Sequence, residues 1–276
     1  MGISRATFII PHPLEIFFSI TVYILPTAKV KKGNSLMKSA ISETSELTYS
    51  IVAQEATITG VNMLTNTTLV IPTMISDAKV VAIEPTAFEG CSYIEKYEVE
   101  GDSPVFKTIE GVLFSKDGKR LISYPRGSHT EWYRVPEGVL YVEPRAFARE
   151  TKLKSIDLRN VRILGHSALK CCTSLEEIRI GKFLEKIGPF AFSFCTRVKE
   201  MEFASCAEIG DWAWAGAFRM SRIWFHEPRP RLSLYSFADL PGKTQIGFGN
   251  GCVCYKAAEL NPAFVALAQA ETEELT

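Results

Sequence analysis

Hydrophobic residues recur at a fixed spacing along most of the chain. An apolar, mostly aromatic residue follows a small residue once in every repeat, and we call it the anchor. The anchors are Phe88, Phe147, Leu169, Phe192, Trp214 and Phe237, which lie 22 or 23 residues apart after a first gap of 59. Five residues before them stand Ile83, Val142, Leu164, Ile187, Ile209 and Leu232. Nine and eleven residues after them stand Tyr97 and Val99, Ile156 and Leu158, Ile178 and Ile180, Met201 and Phe203, Ile223 and Phe225, and Ile246 and Phe248. Self-similarity at this period predicts a repeat solenoid.

The end of each repeat predicts a β-strand. In the stretch "LEEIRI" the alternation turns Ile178 and Ile180 inward and Arg179 outward. Equivalent strands should stack in parallel, because each repeat buries its apolar columns only against its neighbours. The segment around each anchor returns the chain from one strand to the next, and we call it the arm. The small residue before each anchor predicts that the arm runs close to the strand layer, as a short helical or irregular turn. Three arms are preceded by glycine, namely Gly165, Gly188 and Gly210.

The repeating pattern I-G-x-x-A-F-x-x-C-x-x-L-x-x-I-x-I resembles the BspA-like leucine-rich repeat family, also called the Treponema-type repeat, over roughly residues 48–264. The resemblance implies a right-handed leucine-rich-repeat coil, with a parallel β-sheet on its concave face and short helical or irregular arms on its convex face. The stretch "EGVLFSKDGKRLISYPRG", followed by "YRVPEGV", is similar to an insertion common in that family. Such an insertion explains the gap of 59 residues.

Turn and cap signals divide the chain into three parts. Asp117-Gly118 stands between two apolar runs and predicts an inserted β-hairpin at about residues 105–126. A further β segment, "TYSIVAQEATITG" with "TTLVIP", precedes the first anchor. Asn261-Pro262 can begin a helix, which predicts a C-terminal helical cap over residues 255–276. The prediction is thus an N-terminal segment at 1–45, a solenoid at 46–254 and the cap.

The N-terminal segment has two interpretations. The apolar run Ile16–Leu25 is too short to span a bilayer but suits the core of a signal peptide. Pro11, Pro13 and Glu15 precede it and no clean cleavage site follows, so the other interpretation is a spurious extension before a start at Met37. A signal peptide predicts a cell-surface or secreted protein, and the extension predicts a cytoplasmic one. No membrane-spanning segment is expected.

Charge and cysteine content exclude several classes of protein. The chain carries 31 basic and 31 acidic residues, so no net field favours nucleic acid or an anionic membrane. Seven cysteines are too few and too uneven for a disulfide framework. Cys91, Cys172 and Cys195 share one repeat column, which predicts small buried hydrophobes rather than metal ligands or a disulfide.

Three short stretches resemble catalytic or nucleotide-binding motifs. "GHSAL", with Ser167, ends in Leu where the nucleophile elbow has Gly, and its neighbours "GPFAF" and "GDWAW" share its register. "PGKT" lacks the first glycine of a phosphate-binding loop, and "GFGNGCVC" has Cys252 where the dinucleotide fingerprint has Gly. The four histidines have no ligand spacing. We therefore predict no enzyme, no cofactor, no metal and no small-molecule substrate.

The outward positions of the strands remain as a contact surface. Charges of both signs alternate there, so part of this surface should be a ladder of ion pairs. The exposed Trp224 between two core positions is typical of an interface residue. The predicted partner-binding residues on the concave face are Trp224, His226, Arg222, Arg179, Glu202 and Asp157. The leading hypothesis is a non-catalytic protein-binding module, which the family resemblance places at the cell surface or outside the cell in adhesion. The alternative is an intracellular structural or scaffold repeat.

Overall fold

A computed structural model describes residues 7–8, 20–21, 47–62, 66–226, 228–249 and 253–257. The chain divides into two compact units, Met1–Leu36 and Met37–Thr276. In the first unit, strand β1 (Thr7–Phe8) pairs antiparallel with β2 (Ile20–Thr21). The rest of the predicted N-terminal segment up to residue 45 lies outside the described residues, so both interpretations of it stay predictions.

The second unit is built from β-strands, and its described residues contain no helix. The strands are β3 (Leu47–Val52), β4 (Glu55–Val61), β5 (Thr68–Ile71), β6 (Met74–Ile75), β7 (Ala78–Ile83), β8 (Lys96–Val99), β9 (Phe106–Ile109), β10 (Val112–Ser115), β11 (Arg120–Ser123), β12 (Trp132–Arg134), β13 (Tyr141–Val142), β14 (Ser155–Asp157), β15 (Ile163–Leu164), β16 (Glu177–Arg179), β17 (Lys186–Ile187), β18 (Glu200–Phe203), β19 (Glu208–Ile209), β20 (Arg222–Phe225), β21 (Arg231–Leu232), β22 (Gln245–Phe248) and β23 (Val253–Lys256).

Each regular coil contributes one two-residue strand and one longer strand. The two-residue strands β13, β15, β17, β19 and β21 pair in parallel one above another, with β11 below β13. Their register aligns Val142, Leu164, Ile187, Ile209 and Leu232. These are five of the six residues predicted five places before the anchors, so the stacking is confirmed for this part of the column. The sixth, Ile83, pairs with Ile58 of β4 instead.

The longer strands form the second column of the solenoid. β12, β14 and β16 pair in parallel, and so do β18, β20 and β22. Within them Ile156, Met201 and Ile223 are buried, as the alternation predicts. Two stacks of aromatic rings run along the core between the columns. Their centroids are 5.8 and 5.5 Å apart through Phe192, Trp214 and Phe237, and 4.8 and 5.5 Å apart through Phe203, Phe225 and Phe248.

The arms between the two strands are turns held to the next coil by backbone hydrogen bonds. The amides of Phe190, Phe192 and Phe194 donate to carbonyls of the following arm over 2.7–3.0 Å. Residues two places before or after the anchors adopt left-handed φ values between 56° and 71°, namely Arg145, Arg149, Ser167, Cys171, Phe190, Phe194, Trp212, Gly216 and Asp239. Bulky residues rarely adopt this conformation, and the inter-coil bonds hold them in it. The sequence was compatible with either short helices or irregular turns in the arms. The described arms are irregular turns.

Antiparallel strands stand at both ends of the coils. β9 pairs with β10, and β10 pairs with β11 around a turn in which Asp117 accepts from the Lys119 amide at 3.0 Å and Gly118 has φ 75°. Before the first anchor, β3, β4, β7 and β6 form one sheet, and β5 pairs with β8. At the other end β23 pairs antiparallel with β22, so Tyr255 and Lys256 belong to a strand and not to the predicted helical cap. The rest of that cap, from residue 258, lies outside the described residues.

Candidate functional site

The column of longer strands is interrupted at one point. In the described part of the chain β16 pairs with β14 and β18 pairs with β20, and no ladder joins β16 to β18. Gly181, just after β16, lies against the preceding coil, since a Cβ there would stand 1.5 Å from the carbonyl oxygen of Arg159. β16 and Gly181 thus both pack against the coil before them. The outer surface of the sheet is therefore open between β16 and β18.

A groove of about 470 Å³ lies over this interruption, and we call it the ladder groove. Its walls come from β16, β18 and β20, which bring together side chains far apart in sequence. The polar and aromatic residues that line it are Arg179, Glu200, Glu202, Arg222, Trp224 and His226. Five of the six predicted contact residues thus share one groove.

Trp224 lies at the edge of the groove and is partly buried. Its indole packs on the adjacent strand β22, where a Cβ on Gly247 would stand 2.1 Å from Cζ3 of the ring. The guanidinium of Arg222 stands 4.8 Å from the ring centroid on the same strand, in cation–π range. Gly247 in the next coil and Arg222 on the same strand together fix the orientation of the indole. The part of the indole surface that they do not cover faces the groove.

Ion pairs order the charged side chains around the groove. His226 Nε2 lies 2.6 Å from Glu202 Oε1 across adjacent coils, and Arg179 Nε lies 2.7 Å from Glu177 Oε1 on its own strand. All four side chains keep at least a third of their surface exposed, so solvent screens both pairs and each contributes little stability. The pairs hold charges in place while leaving them accessible.

Asp157 differs from the other predicted contact residues and corrects the sequence-based assignment. Its side chain is only 3% exposed, although it occupies the predicted outward column. Burial raises the pKa of this carboxyl, but the hydrogen bonds from Arg159 and the charges of Arg159 and Arg134 outweigh burial and lower the pKa overall. Oxygen Oδ2 lies 2.8 Å from Arg159 and 3.4 Å from Arg134. The carboxylate is enclosed by two arginines and has almost no surface to offer a partner.

Glu200 is a groove residue that the sequence reasoning missed. It begins β18, is exposed, and lines the groove. Glu200 lies one residue before the inward Met201 and is in register with Arg222 on the next strand. Arg222 was predicted as a contact residue, so applying the same position to the neighbouring repeat would have included Glu200.

Ser167 and the cysteine column lie in the core, and residues 250–252 of the stretch "GFGNGCVC" lie outside the described residues. Ser167 is 1% exposed, and its hydroxyl has no hydrogen-bond partner among the described residues. Cys91, Cys172 and Cys195 are buried free thiols. Burial raises the pKa of Cys195 to about 12 and that of Cys172 well above its usual value. In the part of the chain that the structure describes, no three His, Cys, Asp or Glu side chains are grouped to hold a metal ion.

The described residues contain no helix with the length and apolar character needed to cross a bilayer.

Comparison with known proteins identifies the repeats. Residues 123–242 match the model of the BspA type leucine rich repeat region in six copies. No curated protein matches the chain significantly.

Solved bacterial structures share the fold. A leucine-rich repeat protein from Eubacterium ventriosum superposes with a TM-score of 0.59 at 24% identity, over 66% of this chain and 48% of that one. The pneumococcal vaccine antigen PcpA gives 0.54 at 23% identity, over 67% and 45%. A leucine rich cell surface protein from Faecalibacterium prausnitzii gives 0.50 at 26% identity, over 56% and 41%. The chain thus spans less than half the length of each of these proteins.

Proposed function

Because residues 123–242 belong to the BspA-type leucine-rich repeats, we propose that this protein is a non-catalytic protein-binding module whose partner docks in the ladder groove. The observation that carries the proposal is the interruption between β16 and β18, which opens a groove beside Trp224. Solenoids bind partners over extended surfaces formed by successive repeats, and we assign the longer strands to the concave side.

The groove has the composition of an interface centre. Tryptophan and arginine are enriched among the residues that dominate binding energy, because a large rigid side chain is desolvated there at little entropic cost. Trp224 is fixed by Gly247 and Arg222 before any partner arrives. Preorganisation of this kind lowers the entropic cost of association. Glu200, Glu202 and Arg179 supply charges of both signs at the rim.

The proposed place of action is the cell surface or the extracellular space, in adhesion or in contact with a host protein. Its support is the apolar run Ile16–Leu25, which suits a signal peptide, and the similarity to a structure described as a cell surface protein. Fractionation of the native organism tests this part separately. Recovery of the protein in the cytosol, either beginning at Met37 or with Met1–Leu36 still attached, would favour the intracellular scaffold instead.

The experiment for the groove is a capture assay with the full chain as bait against surface and secreted host proteins. Trp224→Ala is the test variant. Trp132→Ala is the matched control, because Trp132 is also a strand tryptophan with an arginine, Arg134, 5.1 Å from its ring centroid, yet it lies outside the groove.

The expected result is a partner whose affinity falls by about 2 kcal/mol or more with Trp224→Ala and changes little with Trp132→Ala. If both variants lower the affinity equally, or if neither variant changes it, the partner binds elsewhere on the solenoid. Thermal melts of the two variants separate a loss of affinity from a loss of fold.

A further inference from the structure

One arm of the solenoid is shorter than its neighbours. The strand register aligns Leu121 with Val142 and Leu164 in the two-residue column, and Tyr133 with Ile156 and Ile178 in the longer column. In the two later coils the chain therefore takes 14 residues to pass from the two-residue strand to the longer strand, from 142 to 156 and from 164 to 178. It takes 12 residues, from 121 to 133, in the coil that follows the β10–β11 hairpin. This coil lacks the small-residue and anchor step of the others.

The shortened arm leaves unfilled space between the full arms on either side. Tyr124 fills part of it, because its ring stacks on the anchor Phe147 with centroids 5.0 Å apart and its amide donates to the Ala146 carbonyl at 2.8 Å. The remainder is a cavity of about 280 Å³ between the arm of Phe88 and the arm of Phe147, which we call the arm cavity. Its volume is that of about nine water molecules.

The walls of the arm cavity combine aromatic and aliphatic side chains with six charged ones. Phe88, Tyr97, Phe106, Ile122 and Tyr124 line it. The Tyr97 hydroxyl, one polar group on this wall, is hydrogen-bonded to Ser123 at 2.9 Å. Concave sites that combine apolar side chains with placed polar groups are the usual form of a small-molecule site.

Arg126 provides a cation in the wall without a carboxylate beside it. The guanidinium donates to the Phe88 carbonyl at 2.9 Å and also to the Glu89 carbonyl. Among the described residues, no Asp or Glu lies within ion-pair distance of it. Carbonyl dipoles stabilise the partly buried charge but do not neutralise it. Burial accordingly lowers the pKa of this guanidinium.

The other charged groups of the wall are paired or lie at the rim. Arg145 pairs with Glu89, and Arg120 pairs with Glu143 at 2.5 Å. Glu84 is exposed at the rim. With these two pairs formed, Arg126 is the lining cation that an incoming anion can neutralise.

We propose that the arm cavity is a binding site for a small carboxylate with a flat apolar body, whose carboxylate pairs with Arg126 and whose body packs against the aromatic wall. Nη2 of Arg126 is held by the carbonyls of Phe88 and Glu89, so Nε and Nη1 remain to donate charge-assisted hydrogen bonds to a carboxylate. The side chains that line the cavity offer van der Waals contact to a planar group. The site holds a ligand and transforms nothing.

The test compares three probes of one shape and different charge on the unaltered protein. Benzoate, benzamide and benzylamine are titrated by isothermal calorimetry, with saturation-transfer NMR for weak binding. We expect benzoate to bind at least about ten-fold more tightly than benzamide, and benzylamine to show no saturable binding. Equal binding of benzoate and benzamide, binding of benzylamine, or no binding of benzoate up to about 10 mM would overturn the proposal.

Two variants locate the bound probe. Arg126→Met should reduce benzoate affinity to that of benzamide, whereas Arg219→Met, a change of an exposed arginine away from the cavity, should leave it unchanged. Val81→Phe places a larger side chain in the cavity wall and should weaken both benzoate and benzamide, so it decides the location even if Arg126→Met does not fold. Benzoate binding that survives Val81→Phe and Arg126→Met in folded protein would place the probe elsewhere and overturn the assignment.

Discussion

The indole of Trp224 rests on the backbone of Gly247 in the next coil, so closely that a Cβ at Gly247 would stand 2.1 Å from the ring. Only glycine at this position lets the indole lie across the neighbouring strand. The orientation of a surface tryptophan is thus set by a residue 23 positions away in sequence.

Gly247→Ala should displace the indole of Trp224. Because the new methyl overlaps ring atoms, we expect a loss of about 1–3 kcal/mol in the free energy of unfolding and a change in the near-UV circular dichroism of tryptophan. Gly90→Ala is the control, since a Cβ there meets nothing within 4 Å. An unchanged near-UV spectrum in Gly247→Ala would contradict the packing described for Trp224.

Phe192→Ala should lower the free energy of unfolding by about 3–5 kcal/mol, because it leaves a cavity in the middle of an aromatic stack. Phe192 is fully buried with its ring 5.8 Å from that of Trp214. Phe194→Ala removes a ring that is 40% exposed two residues away and should cost less than about 1 kcal/mol. Denaturant melts of the two variants measure the difference. A cost below about 1 kcal/mol for Phe192→Ala would show that the anchor column is not the core.

Alkylation should distinguish adjacent cysteines. Cys172 and Cys195 are buried, and burial raises the pKa of both thiols, to about 12 for Cys195. Since the thiolate is the reactive form, neither should react with iodoacetamide at pH 8 until the protein unfolds. Cys171 is only partly buried and should react faster in the native state. Mass spectrometry of timed samples measures each site, and rapid native labelling of Cys195 would refute its place in the core.

Glu150→Gln should stabilise the protein at neutral pH. Burial raises the pKa of Glu150 above 4.5, although the amides of Lys152 and Leu153 donate to Oε1 at 2.6 and 3.4 Å. Below pH 4.5 the carboxyl is protonated in both the folded and the unfolded state. As pH rises the unfolded state ionises first, so wild-type stability falls until the folded pKa is passed. Glutamine keeps the acceptor at Oε1 and has no charge to bury.

The comparison for Glu150 is made in denaturant melts at pH 4 and pH 7. Glu150→Gln should match wild type at pH 4 and exceed it at pH 7, while the exposed Glu137→Gln should stay close to wild type at both. A variant less stable than wild type at pH 7 would mean that the carboxylate is stabilised in the fold and that burial does not raise its pKa.

Much of the fold could be read from periodicity because burial in a solenoid is local. Each coil packs only against its neighbours, so the same apolar positions recur in every repeat and the columns through Ile187 and Met201 are visible in the sequence. The arms were harder to predict. Their conformation depends on backbone hydrogen bonds to the next coil, which let Phe190 and Trp212 adopt a left-handed φ that their side chains alone disfavour.

The candidate site could be predicted only in part. The alternation of inward and outward residues was enough to predict that Trp224 lies on the outer face. The same alternation predicted an accessible Asp157, but the side chain of Asp157 is enclosed by Arg134 and Arg159. Those arginines come from the preceding coil and the same coil, and a single strand pattern gives no information about what covers an outward position.

By itself the sequence determined the repeat, its period, its apolar columns and the family to which residues 123–242 belong, because these follow from which residues must be buried. Tertiary structure alone decided where neighbouring coils separate and where they leave space. The interruption between β16 and β18 and the cavity at Arg126 depend on the distance between coils. That distance is set by contacts such as the one between Gly181 and Arg159, and by an arm two residues shorter than its neighbours. The interruption leaves the hydrophobic pattern unchanged. The missing anchor of the shortened arm is visible in the pattern as the gap of 59 residues, but the pattern does not show the space that the arm leaves.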